Sequence, residues 1–121
     1  MQGADVFNFV IREIPRDIKR LAEWSGEDLQ GLDYYVFHQA NNFINTYLAK
    51  KLRLDAERIP STIAKFGNTS SVSVPLTIAS ELKGRMEGDR KLLLSAFGVG
   101  MTWGTAVVPF RDLRISDLVE V

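Results

Sequence analysis

Three short stretches of this chain combine residue types that could stabilise negative charge on a substrate. They are HQAN (38–41), which holds the single histidine, GNTS (67–70) and FGVGMTWG (97–104). A neutral imidazole and a primary amide can each donate a hydrogen bond. A glycine backbone can bring its N–H closer to a ligand than a residue with a side chain can. His38, Asn68 and the glycine turn are therefore candidates for binding an oxyanion.

Each of these residues also has an ordinary structural explanation when it is taken alone. A single histidine at the end of a strand is more often packed or exposed than catalytic. Asn68 follows Gly67, which is a common turn sequence, and glycines between strands often meet a positive φ or tight packing. Lys50 and Lys51 are first explained as a solvated helix face. The functional interpretation depends on whether the turns meet in space.

The spacing of apolar residues predicts alternating strands and helices along most of the chain. The predicted strands are 5–14, 33–37, 58–67, 91–97 and 102–110, and the predicted helices are 15–26, 41–54 and 73–86. The first strand is rich in aromatic and β-branched residues, and the first helix opens with Pro15 and closes with Gly26. Ser73 is expected to N-cap the last helix.

This order, β-α-β-α-β-α-β-β, predicts an α/β fold with a five-stranded mixed sheet covered by helices. Parallel strands joined by right-handed crossovers end at one edge of the sheet, where ligands bind. His38 leaves the second predicted strand, Asn68 leaves the third, and the glycine turn follows the fourth. We therefore expect these three turns to meet at one rim. Residues 1–110 are predicted to form one domain, and 111–121 an appended tail.

The composition excludes several classes of binding partner and several kinds of chemical site. The chain has 15 basic and 15 acidic residues, so no overall field attracts nucleic acid or an anionic membrane. It has no cysteine, which excludes disulfides, thiolate metal sites and a thiol nucleophile within these residues. No apolar stretch approaches the roughly 20 residues of a membrane span, and the first residues do not resemble a signal peptide. We expect a cytoplasmic domain with no metal site.

The three stretches together resemble a known enzyme family. In this order and spacing, HQAN, GNTS and FGVGMTWG are similar to the carboxy-terminal half of β-ketoacyl-acyl-carrier-protein synthase III, a condensing enzyme of fatty-acid synthesis with the thiolase fold. The opening MQGADVFNFVIREIP also resembles the family's entry into that half. The resemblance covers residues 1 to about 110, and it implies a thiolase-like half-domain.

The resemblance implies a role for several residues. In that family the first half-domain supplies a nucleophilic cysteine, and the second supplies a histidine and an asparagine, which correspond here to His38 and Asn68. The Gly100 amide would share an oxyanion hole with the amide of that cysteine, and Phe97 and Gly98 would line the substrate pocket. The chain would thus be half of an active site and inactive alone.

The resemblance also implies substrates and partners. The substrates would be a coenzyme A thioester and malonyl-acyl-carrier protein, with no further cofactor. The partners would be the amino-terminal half-domain and the acyl carrier protein. Lys50 and Lys51 match basic positions that would dock the acidic carrier protein, whereas Phe43 stands where the family commonly has an arginine.

His38 is expected to act as a neutral hydrogen-bond donor. Loss of CO₂ from a malonyl thioester places negative charge on an enolate oxygen, and two preorganised donors aimed at that oxygen would stabilise it. The helix predicted to begin near Asn41 directs the positive end of its dipole toward His38, which should disfavour the imidazolium form. His38 and Asn68 are therefore predicted to act together on the enolate.

Two other functions fit the same residues. One is a related condensing enzyme of polysaccharide or secondary-metabolite biosynthesis, which would use a different acyl group. The other is a non-catalytic domain that binds an acyl carrier or acyl-CoA. A longer parent chain with a cysteine at a strand-to-helix turn would distinguish an enzyme from a binding domain.

The predicted helix 73–86 is apolar around much of its circumference. Its apolar residues are Val74, Leu76, Ile78, Ala79 and Leu82. A helix with this pattern is normally covered on both sides. We therefore expect it to pack against its symmetry mate in a homodimer, and the alternative is that the tail folds back over it.

Overall fold

The computed structural model describes residues 3–98 and 100–121. Its helices are α1 (Gly3–Ser25), α2 (Asn42–Leu52), α3 (Ile63–Phe66) and α4 (Ser73–Glu81), and its strands are β1 (Tyr34–Phe37), β2 (Asp89–Gly98) and β3 (Thr102–Arg111). Single 3₁₀ turns lie at Leu29–Gly31, Ala56–Arg58 and Ser70–Val72. In the described part of the chain, no helix is long and apolar enough to cross a membrane.

The sheet has the order β1-β2-β3, with β2 in the centre. β1 runs parallel to β2, with Phe37 opposite Ser95, and the segment that connects them contains α2, α3 and α4. β2 and β3 form an antiparallel pair along their whole length. The mixed parallel and antiparallel pairing is confirmed. The prediction of five strands is wrong for the described residues, which form three.

The first predicted strand, 5–14, is wrong because these residues belong to α1. Val10, Ile14 and Ile18 are fully buried and recur every four residues, which is the period of one helix face. Pro15 lies inside this helix and removes one backbone donor, at a cost of about 3 kcal/mol. Burying each large apolar side chain contributes about 1.5–3 kcal/mol, so the buried stripe outweighs the proline.

The third predicted strand, 58–67, is also wrong. This segment contains the end of a 3₁₀ turn and then α3, and its buried residue is the polar Thr62. The Thr62 N–H donates to Gln39 Oε1 at 3.0 Å, and its hydroxyl lies 2.9 Å from the Thr77 hydroxyl. The Gln39 side chain thus satisfies the Thr62 N–H, and backbone N–H groups after it bond within the helical turn instead of to a neighbouring strand.

Two apolar clusters hold the elements together. The larger packs α1 and α2 together with residues of the sheet, and its fully buried members include Val10, Ile14, Ile18, Phe37, Leu48 and Leu93. The smaller contains Val36, Leu82, Met86 and Leu92. Val36 and Phe37 are neighbours in β1 and enter different clusters, as expected for a strand covered on both faces.

The tail packs on the α4 side of the molecule. Leu113 and Ile115 contact the smaller cluster, to which α4 contributes Val74 and Ile78. Lys83, just after α4, forms an ion pair with Asp117. The tail therefore covers part of the apolar surface around α4, as the alternative to self-association requires.

Candidate active site

The end of β1 positions His38. The His38 N–H donates to the Ser95 carbonyl at 2.9 Å, which extends the β1–β2 pairing by one residue past Phe37. Asn41 then N-caps α2, since its side-chain oxygen accepts from the Ile44 N–H at 2.9 Å. His38 is thus held between the last strand hydrogen bond and the start of the next helix.

The His38 ring is half-buried and has two close neighbours. Its Nδ1 lies 2.6 Å from the Ser73 Oγ, and the Phe97 ring stands perpendicular to it with the ring centroids 5.0 Å apart. Burial lowers the pKa of His38 below its usual value. Burial therefore favours the neutral form, and the expected contribution of the α2 dipole stays a prediction.

Asn68 lies in the turn between α3 and the 3₁₀ turn that precedes α4. Its Oδ1 accepts from the Ser70 N–H at 2.9 Å, so the amide oxygen is occupied and the NH₂ group can serve a ligand. Gly67, with φ 67° and ψ −154°, ends α3 in a conformation that a side chain would strain. The GNTS stretch therefore acts locally as a turn that orients the Asn68 amide.

One cleft of about 820 Å³ brings together residues from the three predicted turns. His38, Asn68, Phe97 and Gly98 all line it, together with Ser73. His38 and Asn68 are 30 positions apart in sequence. This cleft satisfies the expectation that the turns meet, although the segment before Asn68 is not a strand. No group of three potential ligands for a metal ion occurs among residues 3–98 and 100–121.

Gly100 is not among the residues that line this cleft. It lies in the turn between β2 and β3 with φ 86°, and Met101 follows with φ 49°. The positive φ supplies a sufficient structural reason for glycine here. Residue 99, the middle of the GVG stretch, lies outside the described residues, so the oxyanion-hole assignment of Gly100 stays a prediction.

Lys50 and Lys51 lie in the last turn of α2, outside the cleft that holds His38. Both border a separate depression of about 580 Å³, which Arg53 also lines. Phe43, at the position where an arginine was expected, is exposed and packs against Phe7 with the rings tilted by 41° and their centroids 5.5 Å apart. These positions leave carrier-protein docking a prediction.

The sequence did not predict the contacts of Ser73, which lines the cleft, or of Gln39, which is buried beside it. Ser73 begins α4 and is not its N-cap, which is Val72. Its hydroxyl instead contacts His38, while the neighbouring Gln39 is fully buried and accepts from Thr62. A serine before an apolar helical stretch has the same sequence pattern whether it N-caps the helix or contacts a distant side chain. No local signal therefore distinguishes these two roles.

A family model of the 3-oxoacyl-[acyl-carrier-protein] synthase III C terminal matches residues 22–110. The chain belongs to this family. The β-ketoacyl-[acyl-carrier-protein] synthase III of Streptococcus gordonii is 38% identical over 111 residues, which cover 89% of this chain and 34% of that protein. Synthase III 2 of Streptomyces coelicolor is 42% identical over 121 residues, covering 94% of this chain and 37% of that protein.

A solved structure resembles the whole described fold. The 3-oxoacyl-(acyl-carrier protein) synthase of Burkholderia xenovorans has a TM-score of 0.94 and 41% identity, covering 100% of this chain and 35% of that one. The resemblance to the synthase III family and the thiolase-like α/β class are thereby confirmed. The chain spans about a third of the length of the synthase III relatives that it matches.

Proposed function

We propose that this chain is the carboxy-terminal half of a synthase III-type acyltransferase that condenses an acyl-CoA with malonyl-acyl-carrier protein. The observation that carries the proposal is the pair of hydrogen-bond donors, His38 and Asn68, on one cleft. The family membership supports the same reaction. Because the chain contains no cysteine, the nucleophile belongs to an amino-terminal half.

The proposed chemistry is a decarboxylative Claisen condensation. The bond from the malonyl Cα to the carboxylate breaks, CO₂ leaves, and the electron pair becomes an enolate with negative charge on the thioester oxygen. His38 and the Asn68 NH₂ donate to that oxygen. The enolate carbon then attacks the acyl group held on the cysteine, which expels the thiolate. Preorganised donors of this type contribute about 3–4 kcal/mol each.

Burial of His38 suits this role. A neutral imidazole can donate a hydrogen bond at the pH of the cell without carrying a full charge into the cleft. The lowered pKa keeps His38 neutral there. Phe97 packs against the ring and limits its rotation. Triosephosphate isomerase also uses a neutral histidine as a hydrogen-bond donor, which polarises the carbonyl of its substrate.

The proposal includes partners beyond the missing half. Lys50 and Lys51 form an exposed basic end of α2 that is suited to an acidic carrier protein. A second copy of the protein would cover the remaining apolar surface of α4, and the protein would act in the cytoplasm without a further cofactor. Sedimentation of the chain tests the homodimer: we expect a dimer, and Ile78→Glu should convert it to monomer. A wild-type monomer would contradict this part.

The catalytic proposal is tested in the enzyme reassembled with its amino-terminal half. His38→Ala and Asn68→Ala should each slow CO₂ release from malonyl-acyl-carrier protein by about 10²- to 10³-fold. Acylation of the cysteine by acyl-CoA, followed by intact mass, should change little. Asn8→Ala, an exposed position on α1, is the control. Equal loss of the acylation step would contradict the assigned roles, and acyl transfer by this chain alone would contradict the need for a second half.

A further inference from the structure

The surroundings of the Ser73 hydroxyl decide whether it donates or accepts in its hydrogen bond with His38. Ser73 is 1% exposed, and its Oγ lies 2.6 Å from the His38 Nδ1. The same Oγ accepts a longer bond of 3.4 Å from the Gln39 N–H. A serine hydroxyl has one proton to donate and two lone pairs that accept.

The donors and acceptors around the Ser73 Oγ show which residue supplies the proton of the hydrogen bond between Ser73 and His38. The Gln39 N–H can only donate, so Ser73 Oγ accepts from it. Among residues 3–98 and 100–121, the His38 Nδ1 is the one acceptor within hydrogen-bond distance of the Ser73 hydroxyl proton. If Nδ1 carried a proton instead, the buried hydroxyl proton would have no acceptor, which is unfavourable.

We propose that Ser73 is a positioning residue that donates to the His38 Nδ1 and thereby holds His38 in the tautomer with its proton on Nε2. Nε2 has no hydrogen-bond partner in the described part of the chain, so its N–H can serve a ligand in the cleft. The importance of this proton for catalysis rests on the proposed function, whereas the tautomer itself does not.

A buried polar network holds the Ser73 hydroxyl in place. On the α4 side, the Thr77 hydroxyl donates to the Ser73 carbonyl at 2.7 Å and contacts the Thr62 hydroxyl at 2.9 Å. On the β1 side, the Gln39 amide donates to the Phe37 carbonyl at 2.8 Å and accepts from the Thr62 N–H. The start of α4, which carries Ser73, and the segment that follows β1 are therefore both connected by hydrogen bonds to Thr62.

The tautomer can be measured directly because His38 is the only histidine in the chain. In the 121-residue protein labelled with ¹⁵N-histidine, two-bond ¹H–¹⁵N spectra above the His38 pKa should give a pyridine-like shift for Nδ1 and a pyrrole-like shift for Nε2. Ser73→Ala should produce a mixture of both tautomers, and Ser73→Thr, which keeps the hydroxyl, should restore the single form. Ser80→Ala, on the same helix, should leave the spectrum unchanged.

Two results would overturn the proposal. One is a protonated Nδ1 in the unaltered protein, which can be read even if Ser73→Ala does not fold. The other is a Ser73→Ala spectrum with the same single tautomer as the unaltered protein.

In the reassembled enzyme, Ser73→Ala should slow CO₂ release by about 10- to 100-fold, by analogy with the loss when the hydrogen-bond partner of a metal-ligating histidine is removed. Ser73→Thr should recover most of it. If the tautomer is as proposed but His38→Ala leaves CO₂ release unchanged, the proposed function fails while the Ser73 assignment stands. If the tautomer is wrong but His38→Ala abolishes CO₂ release, only the Ser73 assignment fails.

Discussion

Replacing Asn45 with leucine should stabilise the protein. Asn45 lies on α2 and is 6% exposed, and neither polar atom of its side chain has a hydrogen-bond partner among the described residues. A buried polar group without a partner costs about 1–3 kcal/mol. Leucine has the same number and branching of side-chain heavy atoms, so it removes this cost without a large change of shape.

The expected gain in unfolding free energy is about 1–3 kcal/mol, to which the better helix propensity of leucine adds about 0.4 kcal/mol. For a chain of this size, each kcal/mol raises Tm by about 4 °C. Urea unfolding and calorimetry should therefore both detect the change. The matched control is Asn8→Leu, the same substitution at an exposed position of α1, which changes helix propensity alone.

The comparison with this control decides the outcome. A gain for Asn45→Leu that does not exceed the gain for Asn8→Leu would refute the reasoning, because the buried amide would then carry no penalty. A loss of stability would mean that Asn45 has a partner, such as an ordered water, that the leucine displaces.

Three further predictions concern the effects of burial. The NMR titration midpoint of His38 should lie below about 6.5 in the folded chain, and a midpoint at or above this value would contradict the effect of burial. Because the unfolded state then binds more protons than the folded state, stability should fall as the pH drops from about 6.5 toward the folded pKa, and His38→Gln should reduce this slope in urea unfolding. Ile14→Ala, at a fully buried position, should lower the unfolding free energy by about 2–5 kcal/mol, whereas a loss as small as that of the exposed control Arg16→Ala would place Ile14 outside the core.

The elements that the sequence predicted well are those in which the amino-acid composition and the spacing of apolar residues indicate the same type of secondary structure. The predicted strands 33–37, 91–97 and 102–110 correspond to β1, β2 and β3, and the predicted helix 41–54 contains α2. In these segments the apolar residues have one period and the ends carry turn or capping residues. Local agreement of this kind requires no knowledge of the rest of the chain.

The two wrong strands show where composition and packing disagree. Residues 5–14 have the composition of a strand, but Val10 and Ile14 share a helical face with Ile18, beyond Pro15. Residues 58–67 lack a partner strand in the described sheet, and backbone bonds within the turn and a bond from the Thr62 N–H to the Gln39 side chain hold them instead. Contacts with distant elements override local preference in both segments.

The sequence by itself determined which residues could do the chemistry, because His38, Asn68 and Phe97 stand in stretches whose types and order resemble one family. Only the tertiary structure decided how they are arranged. The contact between Ser73 and His38 joins residues 35 positions apart, and the pKa of His38 depends on burial by the packed elements around it. A hydrogen bond and a desolvated ring are properties of distances in space, which the spacing of residues along a chain does not contain.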